Sequence, residues 1–224
     1  MSKLLVVTCT RAGTLDMFST RPLYHSLRKQ CEANSNIDFH VFKENTKGLS
    51  ACYNEIIKNP AHKDSTVLFV HDDVILDDIF LYEKLINSPY TITGLAGSKL
   101  FNKHADKLAW HLASEKDSYV GEVAHCNKEG EVWTSCFGPT KSRALIVDGL
   151  FLSCKINELL EKELFFDEDF EYHFYDIAFC LRANEKHVTC GVLPIRAIHF
   201  GLGDSMLSAE WEQTQHKFKA KYCQ

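Results

Sequence analysis

The chain has 224 residues, of which 45% are hydrophobic and 25% are charged, a composition typical of a globular protein. It carries 25 Lys and Arg against 30 Asp and Glu, so its formal net charge is −5. This balance argues against a nucleic-acid partner, because such binding depends on clustered cations. The contents of 11 Gly, 5 Pro and 12% aromatic residues exclude collagen-like and disordered chains. No apolar run reaches the roughly 20 residues of a transmembrane segment, so none is expected.

The cysteines indicate a reducing compartment. There are nine, an odd number, and no two are spaced as Cys-x-x-Cys. Most lie within apolar runs, as Cys154 and Cys180 do, which is typical of buried free thiols. We therefore expect a cytoplasmic protein without a structural zinc site.

The first 97 residues alternate between two kinds of segment. Short apolar runs predict buried strands, and the segments between them predict helices. This βαβαβαβ order favours a parallel sheet with helices on both faces, in which ligands bind outside the carboxyl ends of the strands. The predicted strands are 3–8, 37–42, 66–70 and 91–95, and the predicted helices are 20–31, 49–58 and 78–87, the last capped by Asp78.

The remainder of the chain has a less regular pattern. Residues 98–142 predict loops and a short hairpin that turns at 128–130. No repeat or low-complexity linker interrupts the sequence, so we expect a single domain over 1–224. Strands are predicted at 144–153, broken at Asp148-Gly149, and at 187–193, and helices at 157–163, 172–185 and 208–221.

The clearest chemical signal is a pair of carboxylates, Asp72 and Asp73, directly after a buried apolar strand. Two adjacent carboxylates at such a position are costly unless a cation lies beside them. A divalent ion with oxygen ligands fits, since such ions commonly bridge to substrate phosphates. The alternative is that the pair caps and begins a following helix.

Two further side chains could complete a catalytic site. His199 follows a late strand and is a candidate metal ligand, with a packed core histidine as the alternative. Asp176 begins an otherwise apolar helix, and a general base needs the partial exposure near a substrate that such a position provides. The alternative is that the helix dipole stabilises this carboxylate, which explains Asp176 without any catalytic role.

A polar segment precedes the predicted helix at 49–58. Asn45 and Gly48 lie at the start of this helix, a place where anions and polar ring edges bind. Asn54 is placed to face the same pocket from the helix, or to lie on the helix surface.

Taken in order, these pieces resemble the GT-A glycosyltransferases, and most closely the small family-2-like members with a His-Asp-Asp strand end. The likeness extends from residue 3 to about residue 200. It implies an α/β fold, a single GT-A (Rossmann-like) domain with a mostly parallel central sheet, and a smaller C-terminal acceptor-side part. The nucleotide-binding half would be 1–97 and the acceptor-binding half 98–224. The matching segments are 6–11, 45–54, 69–74, 147–152, 175–182 and 198–199.

The resemblance also implies a role for each candidate. Asp73 and His199 would hold Mn²⁺ or Mg²⁺, and Asp176 would be the base. Asp72 would hold the ribose or the metal, although His71 replaces the first carboxylate of the family motif. The nucleotide would contact Thr8, Thr10, Arg11, Asn45 and Asn54, and the donor sugar or acceptor would contact Asp148, Gly149 and His173.

The expected function is therefore metal-dependent, inverting sugar transfer from a nucleotide-sugar to a carbohydrate or other hydroxyl acceptor. A UDP-sugar is the favoured donor and a GDP-sugar the second choice. One alternative is a nucleotidyltransferase that makes a nucleotide-sugar, but its basic, Gly-rich loop is represented only by residues 10–14. Another is a non-catalytic carbohydrate- or nucleotide-binding module, in which Trp110, Trp133 or Trp211 would stack on sugars or simply pack in the protein.

Overall fold

The N-terminal βα units supply three neighbouring strands at one side of a seven-stranded sheet. The structure is a computed structural model that describes residues 2–201 and 208–224. β1 (Leu4–Cys9) lies between β2 (Ile37–Phe42) and β3 (Thr66–Val70) and is parallel to both. β1 and β3 are almost entirely buried because their side chains are apolar on both faces. Their carboxyl ends therefore open at one edge of the sheet.

The rest of this sheet mixes strand directions. The remaining strands of this sheet are β5 (Ile92–Gly94), β9 (Ser142–Ala144), β11 (Phe151–Lys155) and β12 (Cys190–Val192). β11 lies between β3 and β5 and is antiparallel to both, whereas β5 and β12 are parallel to each other. Five of the seven strands consequently point the same way, with β11 and the edge strand β9 reversed.

A second sheet has the order β10-β6-β7-β13-β4, with β8 paired to β7 in addition. Its longest strand is β7 (Tyr119–Cys126), which forms a hairpin with β8 (Val132–Cys136). The turn includes Gly130, which has a φ of 83°. The other strands are β4 (Val74–Leu76), β6 (Ala96–Ser98), β10 (Ile146–Val147) and β13 (Ala197–His199).

Helices cover both faces of the sheet system. Stacked aromatic rings pack beneath the helices. The ring centroids of Tyr53 and Phe69 lie 4.3 Å apart, and those of Phe166 and Phe179 lie 3.9 Å apart. Ser208 caps the last helix by accepting a hydrogen bond from the backbone of Trp211. The helices are α1 (Leu15–Phe18), α2 (Pro22–Ala33), α3 (Leu49–Lys58), α4 (Leu81–Ile86), α5 (Ile156–Glu161), α6 (Tyr175–Glu185) and α7 (Ala209–Tyr222).

Several predicted elements differ from the observed ones. Asp78 does not cap α4 directly; Phe80 is the cap residue, and Asp78 accepts the backbone N–H of Phe80. The predicted strand 144–153 is divided among β9, β10 and β11. Residues 98–224 supply strands to both sheets, so the two predicted halves interleave. The division at residue 97 remains a prediction.

Candidate active site

The carboxyl ends of β1, β2 and β3 border a cavity of about 320 Å³. Its walls include the three loops that follow these strands, as expected for a sheet with parallel strands, together with residues from α3 and from the segments before α2 and α6. The lining includes Thr10, Arg11, Asn45, Asp72 and Asp73, all of which the sequence placed in the site. The structure thus brings together five predicted residues from three loops.

Asp72 is held in this cavity from two sides. Thr10 donates its hydroxyl to Asp72 Oδ2 at 2.6 Å, and Arg21 Nε lies 3.1 Å from the same oxygen. Thr10 is fixed in turn, because its hydroxyl accepts the backbone N–H of Ala12 at 3.2 Å. Charge-assisted bonds of this kind orient a carboxylate strongly.

Asp73 lines the first cavity, and His199 lies beside Asp73 without being part of the cavity lining. His199 Nε2 is 3.4 Å from Asp73 Oδ2. The other oxygen, Asp73 Oδ1, is buried and has no hydrogen-bond partner among the described residues. Burial opposes charge on the Asp73 carboxyl, but His199 and His71 outweigh it and hold its pKa below the usual range. Burial likewise acts to lower the pKa of His199, but Asp73 raises it overall.

This pair fits a divalent cation whose remaining ligands come from a substrate. A carboxylate that has one buried, unpartnered oxygen and lies next to an imidazole can supply two protein ligands to such an ion. Within 2–201 and 208–224, no group of three or more His, Cys, Asp or Glu side chains gathers with metal-binding spacing. An ion held here would therefore be bound by Asp73, His199, substrate oxygens and water.

A second cavity of about 580 Å³ adjoins the first, since Arg11, His71 and Tyr172 line both. His71 Nε2 lies 3.0 Å from the hydroxyl of Tyr175, which itself donates to the carbonyl of Gly149 at 2.8 Å. These bonds fix a boundary between the two cavities.

Asp148 and Asp176 face the second cavity. Trp110 donates its indole N–H to Asp148 Oδ2 at 2.7 Å, and the backbone N–H of Leu150 donates to Asp148 Oδ1 at 3.0 Å. Asp176 accepts the backbone N–H of Gly149 at 2.9 Å and that of Ile177 at 2.9 Å. Both carboxylates are thereby oriented by N–H groups.

Asp176 combines these bonds with an unusual titration. Burial first, and then repulsion by Asp148, raises the pKa of Asp176 to about 7, although its two backbone hydrogen bonds act in the opposite direction. A carboxyl that titrates near neutrality and lines a cavity can exchange a proton with a bound substrate. This is the property expected of a general base.

Two local features bring Asp176 to this position. Gly149 has no room for a side chain, because a Cβ there would lie 2.4 Å from the Tyr175 hydroxyl and 2.9 Å from Asp176 Cβ. Phe174, just before α6, has a φ of 63°, a left-handed conformation that is uncommon for a large residue. Its buried ring packs on Trp211 and Phe218 of α7, and this packing holds the strained start of α6 in place.

His173 also lines the second cavity, where burial lowers its pKa. Two other predicted residues lie away from both cavities. Thr8 is 1% exposed and buried within the sheet. Asn54 is 3% exposed; its amide donates to the carbonyl of Phe166 and to Glu168, and its oxygen accepts the Phe166 N–H. These contacts give Asn54 a packing role.

Several residues at or near the two cavities were not predicted from the sequence. Arg21 contacts Asp72 from the start of α2, and its only local signal is its place before Pro22. Tyr172 lines both cavities and donates its hydroxyl to the Lys47 carbonyl at 2.9 Å. His125 lies beside His199, with 5.8 Å between ring centroids, and nothing in the local sequence indicates this contact.

Comparison with known proteins gives a likeness of fold. No family model matches the chain, and no curated protein matches it. The chain is similar to the crystal structure of A197 from STIV, with a TM-score of 0.52 and 16% sequence identity over 89% of this chain and 86% of that one. At this identity the likeness concerns the fold alone. Together with the two sheets and the helices on both sides, it confirms the predicted fold class, a mixed α/β fold in a single Rossmann-like domain.

The described helices include none that is both long and apolar enough to cross a bilayer. All nine cysteines are free.

Proposed function

We propose that the protein is a metal-dependent inverting glycosyltransferase that moves a sugar from a nucleotide-sugar to a hydroxyl of a carbohydrate or other acceptor. The observation that carries this proposal is the pairing of two adjoining cavities. One contains Asp73, whose Oδ1 has no partner among the described residues and whose Oδ2 lies beside His199, and the other contains Asp176, a carboxyl that titrates near neutrality. Metal-dependent inverting sugar transfer uses these two chemistries side by side.

The first cavity would hold the nucleotide. Asn45 lines this cavity, and its side-chain amide donates a hydrogen bond to the carbonyl of Lys47. Arg11 lines both cavities. Arg11 is exposed and is placed to contact the diphosphate. Mn²⁺ or Mg²⁺ held by Asp73 and His199 would neutralise the charge that grows on the diphosphate as the glycosidic bond breaks. A UDP-sugar is the favoured donor, with a GDP-sugar as the second choice.

The second cavity would hold the sugar and the acceptor. Asp148 and Gly149 would border the donor sugar, and His173 the acceptor. Asp176 would take the proton of the acceptor hydroxyl as that oxygen attacks the anomeric carbon, and the bond from this carbon to the diphosphate would break on the opposite side. A single displacement of this kind inverts the anomeric centre. The nine free thiols support a reducing compartment, and we propose the cytoplasm.

The test separates nucleotide binding from transfer. Calorimetry with UDP and GDP, with and without Mn²⁺, measures binding, and release of nucleoside diphosphate from donor and acceptor measures transfer. Asp176→Asn should leave the nucleotide Kd nearly unchanged and reduce transfer about 10²- to 10⁴-fold. Asp73→Asn and His199→Ala should abolish the Mn²⁺-dependent part of nucleotide binding.

Asp117→Asn is the matched control, because Asp117 is an exposed carboxylate outside both cavities. Normal transfer by Asp176→Asn would disprove the role of the base. Nucleotide binding that is indifferent to Mn²⁺ in the unmodified protein would disprove the metal role. Release of pyrophosphate from a nucleoside triphosphate and a sugar phosphate would identify a nucleotidyltransferase instead.

A further inference from the structure

The β7–β8 hairpin exposes a tryptophan to solvent. Trp133 is 41% exposed, whereas Trp110 and Trp211 are 6% and 5% exposed. The indole stacks on the ring of His125, with 5.5 Å between centroids and 21° between planes. One indole face is therefore covered by an imidazole, and the exposed area belongs to the remainder of the ring.

Trp133 also begins a row of rings that leads to the candidate metal ligands. Trp133 is opposite His125 across β8 and β7, and His125 is opposite His199 across β7 and β13. Residues directly opposite on neighbouring strands lie on the same face of a sheet. The centroid distances of 5.5 Å and 5.8 Å place the indole at most about 11 Å from the His199 ring. A short oligosaccharide covers that distance.

We propose that Trp133 is an outer carbohydrate subsite, which stacks on a pyranose ring of a glycan acceptor beyond the sugar that reacts. This inference rests on the proposed function. An aromatic face held rigidly and open to water matches the apolar C–H face of a pyranose, and its polar surroundings suit the hydroxyl groups at the ring edge. Ser135, two residues beyond Trp133 in β8, lies on the same face of the strand.

The row of rings connects Trp133 with the proposed active site, which favours a glycan acceptor as the ligand. The ring row ends at His199, which lies 3.4 Å from Asp73. Asp73 lines the first cavity, and the second cavity, which contains Asp176, adjoins the first. A chain of sugars bound on Trp133 would thus be directed towards the cavity in which Asp176 acts.

The subsite can be tested with the full chain and defined sugars. The probes are linear hexasaccharides of β-1,4-glucose, α-1,4-glucose, β-1,4-N-acetylglucosamine and α-1,6-mannose, each compared with its monosaccharide. Acrylamide quenching of tryptophan fluorescence reports mainly on Trp133, because the other two tryptophans are buried. We expect at least one hexasaccharide, but not its monosaccharide, to protect this fluorescence from quenching.

Variants then assign the binding to the ring. Trp133→Ala should weaken hexasaccharide binding measured by calorimetry by about tenfold, whereas Trp133→Phe should retain most of it. Val132→Ala is the matched control, since Val132 is exposed on the opposite face of the same strand and should not change binding. Binding of UDP or GDP with Mn²⁺ should be unchanged in all three variants, which also shows that they fold.

Two results would overturn the subsite. One is that no hexasaccharide protects the fluorescence, and the other is that Trp133→Ala binds the sugar as tightly as the unmodified protein. In either case, intact Mn²⁺-dependent nucleotide binding would leave the proposed transferase function standing. Protected fluorescence without any nucleotide binding would retain the subsite and reject the transferase, and the protein would be a carbohydrate-binding module.

Discussion

Substitution of Asp176 by Asn should change the pH dependence of stability in a defined direction. The folded carboxyl has a pKa of about 7, against 3.8 for an ordinary aspartate. Between these two values the unfolded chain has released its proton while the folded protein retains it, so folding becomes less favourable as pH rises. The full difference corresponds to about 4 kcal/mol, at about 1.4 kcal/mol for each pH unit. This destabilisation is complete above pH 7 and absent well below pH 4.

The asparagine removes this titration but introduces a smaller loss. Asp176 accepts one backbone N–H on each carboxylate oxygen, from Gly149 and Ile177. An amide has only one acceptor oxygen, so one of these N–H groups loses its partner at a cost of about 1–3 kcal/mol. Asp176→Asn should therefore be about 1–3 kcal/mol more stable than the unmodified protein at about pH 8.5. At about pH 4.5 it should be equal or up to about 2 kcal/mol less stable.

The assay is urea denaturation of both proteins at these two pH values, followed by circular dichroism. Comparison between the two proteins cancels the titrating groups that do not interact with Asp176, and Asp117→Asn should behave like the unmodified protein at both pH values. The same pKa predicts that kcat/KM for transfer rises about tenfold per pH unit below 7 and levels off above it. A stability difference that stays constant between the two pH values would show that Asp176 ionises like an exposed carboxyl. That result would remove the physical argument for the base.

Three further substitutions test the architecture around the site. Gly149→Ala places a methyl group 2.4 Å from a hydroxyl of the neighbouring helix and should lower the free energy of unfolding in urea by about 1–3 kcal/mol; an unchanged midpoint would refute the close packing. Phe218→Ala removes a fully buried ring of α7 and should cost about 3–5 kcal/mol in the same assay, whereas a loss below 1 kcal/mol would show that α7 packs loosely. Arg21→Ala breaks the ion pair with Asp72 and should weaken nucleotide binding by calorimetry about tenfold, while Arg28→Ala, which breaks an exposed pair on the same helix, should not.

Local sequence patterns predicted the elements that depend on local interactions. The strands 37–42 and 66–70 and the helix 49–58 coincide with β2, β3 and α3. These elements are set by apolar periodicity and by the Asn59-Pro60 stop, which act within a few residues. The loops after the parallel strands could also be placed at one edge, because the βα order requires it.

Long-range pairing could not be derived in the same way. β11 enters between β3 and β5 from more than 50 residues away, and β4 and β13 pair across more than 120 residues. Neither pairing has a signal within the paired segments. The contact between His125 and His199 depends on such a pairing, so the local sequence did not indicate it.

Position relative to a strand end decided which threonine reaches the site. Thr8 and Thr10 are two residues apart and were predicted alike. Thr8 lies within β1 and is 1% exposed, whereas Thr10 lies beyond the last strand residue, Cys9, lines the first cavity and donates to Asp72. A boundary uncertain by one or two residues therefore changes a cavity-lining position into a core position.

The interruption between β10 and β11 at residues 148–150 explains why backbone N–H groups are available to orient Asp148 and Asp176 in the second cavity. β10 ends at Val147 in the six-stranded sheet, and β11 begins at Phe151 in the seven-stranded sheet, so the three residues between them cross from one sheet to the other. Their backbone groups are free to bind elsewhere: Leu150 O accepts the His71 N–H, Gly149 O accepts the Tyr175 hydroxyl, and Gly149 N–H donates to Asp176. Buried backbone groups require partners, and here the partners are side chains and backbone of the site. The junction between the sheets therefore joins the loop that carries His71, Asp72 and Asp73 to the helix that carries Asp176, and a shift at this junction would move both halves of the proposed active site together.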